Sequence, residues 1–231
     1  MTDTLDKTRA MLAKHHRNGE EFAQLMKDTF AGRFDEAFWR EWGAWIEPAL
    51  SARPVIMDLG TGPGVMLRTL KERYPVACII GVEAAPYMLE AARAILPEGA
   101  GLLEADLHDP RLPLADKSVD AALAAVVLHE MNQPVRALQE VHRLLKPGGR
   151  FCVLDWVRAP LAQYLAAEGR EDVFAPQCDT EQLEDVFIHF IEHNRFSSDD
   201  LRYLLEHTGF KVLSVTPLRN GQFARIFAEK L

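Results

Sequence analysis

Three acids and a glycine-rich step carry the first chemical signal in this 231-residue chain. Val55-Ile56-Met57 is a short apolar run of the kind buried in a parallel sheet, and Asp58-Leu59-Gly60-Thr61-Gly62-Pro63-Gly64 follows at once. From there Val65, Met66, Leu67 and Leu70 repeat with helical spacing, so the segment reads as strand, tight turn and helix. Glycines suit such a turn because they tolerate positive φ and let a ligand approach the backbone. Unpaired N–H groups at the start of the helix favour an anionic or polar ligand group. A second apolar run, Val76 to Val82, ends in Glu83, and a third, Leu102-Leu103-Glu104-Ala105, ends in Asp106. Acids just past the C-terminal ends of successive parallel strands line the crevice where open α/β sheets bind ligands. Glu83 suits the two hydroxyls of a ribose, and Asp106 suits an exocyclic amine.

Further along, the apolar run Val119 to Leu128 ends at His129 and Glu130. Histidine titrates near neutrality, which makes His129 a candidate base or orienting donor; a histidine packed beneath the following helix is the competing reading. Trp156, just past a fifth strand, is a candidate wall for a substrate. His189-Phe190-Ile191-Glu192-His193 spells the inverted zinc-protease pattern H-x-x-E-H. No third ligand accompanies it, and Phe187, Ile188, Phe190 and Ile191 read as an ordinary buried face, so no metal is expected. His15-His16 reads as a solvated helix end. Cys78, Cys152 and Cys178 lack the spacing of a zinc site or a disulfide framework.

Residues 1–50 read as helices with apolar stripes at Leu5-Thr8-Met11-Leu12, Phe22-Leu25-Met26-Phe30 and Phe38-Trp42-Trp45-Ile46-Ala49. They form a helical cap or lid. Strands and helices then alternate from Val55 to Trp156, the pattern of a parallel sheet with right-handed crossovers. A helical insertion follows at about 158–208, with Ser197 and Asp200 spelling a capping box. Phe210 to Pro217 and Gln222 to Glu229 alternate as two strands around Asn220-Gly221, a hairpin signal. Residues 51–231 are thus expected to make one ligand-binding domain. The net charge of −8 argues against a broad nucleic-acid surface. No apolar run is long enough to span a bilayer and the first residues lack a signal peptide's pattern, so a cytoplasmic protein is expected.

Taken together, Asp58-Leu59-Gly60-Thr61-Gly62-Pro63-Gly64, Glu83, Asp106, the strand from Asp120 to His129 and Leu144-Leu145-Lys146-Pro147-Gly148-Gly149 resemble the successive motifs of the class I S-adenosylmethionine-dependent methyltransferases. The likeness is closest to the ubiquinone/menaquinone-biosynthesis type that acts on small molecules. It implies a Rossmann-like, doubly wound α/β sheet of seven strands with the last antiparallel. It also implies that the Gly60-Thr61-Gly62 backbone holds the methionine end of S-adenosyl-L-methionine, with Asp58 ordering the turn. Glu83 would bind the ribose, Ala84 and Met88 would flank the adenine, Asp106 and the Leu107 N–H would read its amine edge, and Ala125 and Val126 would border the sulfonium. Arg33, Trp42, Glu130 and Trp156 are the candidate substrate contacts, the aromatic lid leaning toward an apolar or aromatic small molecule. Methyl transfer from a sulfonium needs alignment and water exclusion, and a base only if the acceptor is protonated, so no catalytic triad is expected. Acceptor atom and substrate stay open, and a homodimer is admitted. Two rival readings are an NAD(P)-dependent oxidoreductase, whose usual G-x-G-x-x-G spelling differs from the G-x-G-x-G here, and a non-catalytic cofactor-binding partner subunit.

Overall fold

The computed structural model describes residues 4–16 and 18–231. Residues 1–3, part of the segment read for a signal peptide, and the side chain of His15 lie outside the described set. Four helices come first: α1 (Thr4–His16), α2 (Gly19–Asp28), α3 (Phe30–Arg33) and α4 (Glu36–Trp45). The alternating region follows as β1 (Val55–Leu59), α5 (Val65–Arg73), β2 (Cys78–Glu83), α6 (Pro86–Arg93), β3 (Ala100–Glu104), β4 (Val119–Ala125), α7 (Val135–Leu144) and β5 (Leu145–Trp156). Helices α8 (Leu161–Glu168), α9 (Thr180–His193) and α10 (Ser198–His207) lead to β6 (Phe210–Leu218) and β7 (Phe223–Lys230).

Among the described residues the seven strands make one sheet in the order β3-β2-β1-β4-β5-β7-β6. Strands β1 to β5 pair in parallel, while β7 runs antiparallel to both β5 and β6. The expected Rossmann-like sheet with an antiparallel last strand is therefore present. Because side chains alternate along a strand, β1 sends Met57 and Leu59 to one face and Ile56 to the other. The first face packs on Leu138 and Val141 of α7 and Leu201 and Leu205 of α10. The second packs on Phe38 and Trp42 of α4 and Met66, Leu67 and Leu70 of α5.

Several local details differ from the sequence reading. Strand β2 starts at Cys78, leaving Val76 exposed in the loop before it. Strand β4 stops at Ala125, because Val126 turns to a φ of 58°. Strand β5 begins at Leu145, inside the Leu144–Gly149 motif. The register shift between Val119 and Ala121 absorbs the Lys146–Gly149 step, and the Lys146 ammonium is tied to Asp120 at 2.7 Å. The β6–β7 connection is a single turn over Arg219–Gly221, in which Arg219, Asn220 and Gly221 all have positive φ. In α9 only Val186 is buried, against Tyr164, Leu165 and Val173; Phe187, Ile188 and Ile191 are exposed, so the buried face read there is not formed. The capping box of Ser197 and Asp200 opens α10, as expected.

Helices α1 and α2 lie across the C-terminal edge of β2 and β3, where Leu12 and Ala23 pack on Ala84, Ala85 and Met88. Thr8 Oγ1 donates to Asp106 Oδ1 at 3.0 Å, and Arg9 pairs with Glu104 and donates to the Ala84 carbonyl. Among the described residues no helix is long and apolar enough to cross a membrane. Trp42 corrects the sequence reading. It is wholly buried between α4 and the sheet, with its Nε1 donating to the Tyr74 hydroxyl at 2.9 Å, and it faces no substrate. Trp39 and Trp45 pack around the same cluster. A helix stripe of aromatics looks the same in sequence whichever surface it covers. Trp42→Ala should therefore lower the unfolding free energy by about 3–5 kcal/mol, measured by urea denaturation, and leave cofactor affinity intact in the folded fraction. Full stability with altered substrate specificity would restore the lid assignment.

Candidate active site

The tip of β1 is built on buried acids. Thr61 Oγ1 donates to Asp58 Oδ2 at 2.7 Å, and the Thr61 N–H donates to the Val82 carbonyl at 3.0 Å. Gly60 sits at a φ of 65°, where a Cβ would lie 2.6 Å from Val127 Cγ2, so only glycine fits. The Gly62 N–H donates to Glu83 Oε2 at 2.9 Å, and Glu83 Oε1 accepts from the N–H groups of Ala84 (2.8 Å) and Ala85 (2.9 Å). The Thr61 and Gly62 N–H groups are thus committed within the protein. What the turn offers a ligand is a bare surface: a Cβ at Gly62 would meet nothing nearer than Met88 Sδ at 4.0 Å. Burial pushes the Asp58 carboxyl up to about 7, against the Thr61 hydrogen bond and with the help of Glu83. Burial also raises Glu83, although three backbone N–H groups pull the other way and Glu130 adds to the rise.

Three adjoining cavities run along this edge. The first, of about 620 Å³, is lined by Gly60, Gly62, Glu83, Ala84 and Met88 from the strand ends and roofed by Thr8, Met11 and Leu12 of α1. Leu107, Ala125 and Val126 also face it. The second, of about 390 Å³, is bordered by Asp58, Thr61, Gly60, Gly62 and Ala125, with Arg33 at its rim. Asp106 stands behind the first cavity. Its Oδ1 accepts from Thr8 and from the His108 N–H at 2.9 Å, with His108 Nδ1 at 3.0 Å. Its Oδ2 is buried with no hydrogen-bond partner. A buried carboxylate oxygen without a donor is costly, so an amine-bearing ligand fits there.

The third cavity, of about 1230 Å³, opens beyond Val126 and is lined by His129, Glu130, Trp156 and Arg33. Val126 divides it from the first; a β-branched residue at positive φ is a backbone outlier of the kind that collects at functional sites. Next to it stands a residue the sequence reading did not single out. Asp155 is fully buried, and its Oδ1 accepts from His129 Nδ1 at 2.6 Å and from the Trp156 N–H at 2.8 Å. Its Oδ2 accepts from the N–H groups of Leu128 (2.6 Å) and Val127 (3.2 Å). Strand order brings it there: β4 and β5 are neighbours in register at Ala125 and Leu154, so an acid after one lies beside the loop leaving the other. Burial disfavours the His129 cation, but the charge of Asp155, its hydrogen bond, Glu130 and Glu192 outweigh that and hold the imidazole above its ordinary 6.5.

His16 is not a solvated helix end. It is buried, stacked on Phe22 at 3.8 Å, bonded to the Tyr87 hydroxyl and 3.4 Å from Glu130, at the seam of the first and third cavities. His189 and His193 of the H-x-x-E-H helix also line the third cavity. The His193 ring stacks on Trp156 at 4.2 Å, meets the His129 ring at 5.2 Å and lies 3.2 Å from the Tyr164 hydroxyl. Among the described residues no group of three or more His, Cys, Asp or Glu is placed to hold a metal ion.

Comparison with known proteins agrees with this layout. Residues 57–153, from β1 to β5, match the family model described as a methyltransferase domain. An uncharacterized methyltransferase of Mycobacterium bovis is 36% identical over 144 residues, covering 58% of this chain and 56% of that protein. A ubiquinone/menaquinone biosynthesis C-methyltransferase of Syntrophotalea carbinolica is 35% identical over 156 residues, covering 62% of this chain and 64% of that protein. The chain thus spans less than two thirds of the length of these curated relatives. In fold, the chain superposes on a SAM-dependent methyltransferase from Aquifex aeolicus with a TM-score of 0.64 at 20% identity, over 93% of this chain and 99% of the other. With strand order, glycine turn and strand-end acids all in agreement, residues 57–153 are a methyltransferase domain with the layout of the class I S-adenosylmethionine-dependent methyltransferases, the layout that implies S-adenosylmethionine as cofactor.

Proposed function

We propose that this protein is a methyltransferase acting on an oxygen or nitrogen of a small molecule, with His129 as the proton acceptor. The observation that carries this is the Asp155–His129 pair on the wall of a cavity that adjoins the one over the glycine turn. S-adenosylmethionine, when bound, supplies an electrophilic methyl carbon whose bond pair remains on sulfur. Asp106 Oδ2 would take the exocyclic amine of its base, which Ala84 and Met88 flank. Glu83 Oε2, which already accepts the Gly62 N–H, has room for one ribose hydroxyl. Asp58 would face the ammonium of the methionine end, and Ala125 and Val126 would border the sulfonium. Because Asp155 accepts from Nδ1–H, the Nε2 lone pair of neutral His129 is left to face the acceptor. The acceptor's proton passes to Nε2 as its lone pair forms the new bond to carbon, and Asp155 stabilises the resulting imidazolium. Helices α1 and α2 would act as the lid that keeps water out. The three free cysteines support a reducing, cytoplasmic location.

Two measurements test this. Only ionised Asp58 attracts the ammonium, and its carboxyl titrates at about 7 before binding. Affinity for S-adenosylmethionine should therefore increase from about pH 5.5 to about pH 7.5, below the titration of the ligand's own α-amine. Calorimetry should show proton release on binding. Asp58→Asn should bind more weakly and lose the dependence; a flat wild-type profile would remove Asp58 from the site.

The second uses labelled-methyl transfer, screened over phenols, amines, carboxylic acids and thiols. With the acceptor found, kcat/KM should fall as the pH drops through an apparent pKa above 6.5, because the base must be neutral and Asp155 favours its cation. Asp155→Asn should move that pKa downward. His129→Gln should cost about 10²–10⁴-fold in turnover with unchanged cofactor affinity. Undiminished turnover in His129→Gln would end the base assignment.

A further inference from the structure

The arginines that carry structure in this acidic chain are paired with acids. Arg9 pairs with Glu104, Arg143 with Glu140 and Asp116, Arg150 with Glu229, and Arg225 with Glu41 at 2.9 Å. Arg33 and Arg219 are not. Arg33, half-buried at the end of α3, is held only by neutral acceptors: its Nη1 donates to Thr29 Oγ1 at 2.6 Å and its Nη2 to the Met26 carbonyl at 2.8 Å. The Arg219 guanidinium lies over the Phe223 ring at 4.8 Å and the Trp156 ring at 5.9 Å, and forms no ion pair or hydrogen bond among the described residues. Both line the cavity of His129 and a smaller one of about 540 Å³ beside it. The acids that line the two cavities are engaged elsewhere or exposed: Asp35 is the N-cap of α4, accepting the Phe38 N–H at 2.8 Å, Glu130 lies beside His16, Asp185 beside His189, and Glu168 faces solvent.

Two guanidinium groups facing one cavity repel each other. Burial, and then the Arg219 charge, lower Arg33 to about 10. A chain with 34 acidic residues could have neutralised such a pair, yet it presents them with donors to spare, since a guanidinium carries five N–H groups and Arg33 uses two. A planar oxyanion takes such donors two at a time and removes the repulsion. We infer that the methyl acceptor carries an oxyanion group, a carboxylate or a phosphate, seated between Arg33 and Arg219 in the cavity that His129 lines. The remainder of the acceptor would lie along Phe22, Leu25, Met26 and Trp156. This inference rests on the methyltransferase reading of the site and adds an anionic group to the apolar or aromatic acceptor that the sequence leads one to expect.

The test measures binding, independently of turnover. The intact protein, saturated with S-adenosylhomocysteine, is titrated at low ionic strength with benzoate, phenyl phosphate and, as the neutral control, benzyl alcohol. Tryptophan fluorescence reports on the site through Trp156. The two anions should bind saturably and at least about tenfold more tightly than the alcohol. Arg219→Ala, in an exposed turn, and Arg33→Gln should each erase about that tenfold preference, while Arg33→Lys should keep part of it. The ranking of benzoate against phenyl phosphate decides which oxyanion the site prefers. Equal binding of anions and alcohol, or anion binding untouched in both neutral variants, would overturn the proposal. So would a loss of S-adenosylmethionine affinity in Arg33→Gln with anion binding unaltered, which would make the cofactor's own carboxylate the partner of Arg33. Failure of the wild-type protein to bind S-adenosylmethionine at all would instead strike the methyltransferase reading.

Discussion

A carboxylate taken out of water must find donors for its oxygens, and four acids at the C-terminal edge of this sheet impose that requirement on every loop around them. Asp58 takes the Thr61 hydroxyl, Glu83 takes three backbone N–H groups, and Asp155 takes three more together with the His129 ring. Asp106 takes Thr8 from α1 and the His108 N–H, and keeps one oxygen without a partner. The crevice floor is therefore set by hydrogen bonding more than by the packing beneath it. Turn, helix start and lid are all fastened to the same row of acids.

That arrangement explains why the local conformations are unusual where they are. Glu83 reaches sideways to the Gly62 N–H, tying the end of β2 to the turn after β1. Asp155 draws the Val127 and Leu128 N–H groups toward β5, and the chain meets that demand by turning Val126 into a conformation that costs a β-branched residue about 1–3 kcal/mol. The result is a narrow divider between two cavities and a histidine whose tautomer is set by a buried acid. Strain, positioning and basicity thus have one origin, the carboxylate at the end of β5.

The parts of this design that lie within a few residues of one another were legible in the sequence. The strand–turn–helix around Gly60 to Gly64, and the acids ending β2 and β3, are local patterns whose meaning follows from the parallel sheet. So were the alternating elements, the capping box at Ser197 and the antiparallel last strand. What sequence could not supply was which surface a stripe would meet. Trp42 went to the core where a cavity was expected, and His16 to a cavity seam where solvent was expected, because an amphipathic helix specifies that a face is buried and not what buries it. The same applies to α9, where His189 and His193 turn to the cavity and Phe187, Ile188 and Ile191 turn to water. Asp155 and His129, or Arg33 and Arg219, are distant in the chain and meet only through strand order, so their pairing becomes visible once β4 and β5 are neighbours and the β6–β7 turn closes over Trp156.

The orphan oxygen of Asp106 is the point at which the row of acids meets the cofactor, and a crystal structure grown with S-adenosylhomocysteine examines it most directly. The adenine amino group should lie about 3 Å from Asp106 Oδ2, with the sulfur-bearing chain passing over Gly60 and Gly62. A purine seated elsewhere, with that oxygen still lacking a donor, would contradict that placement.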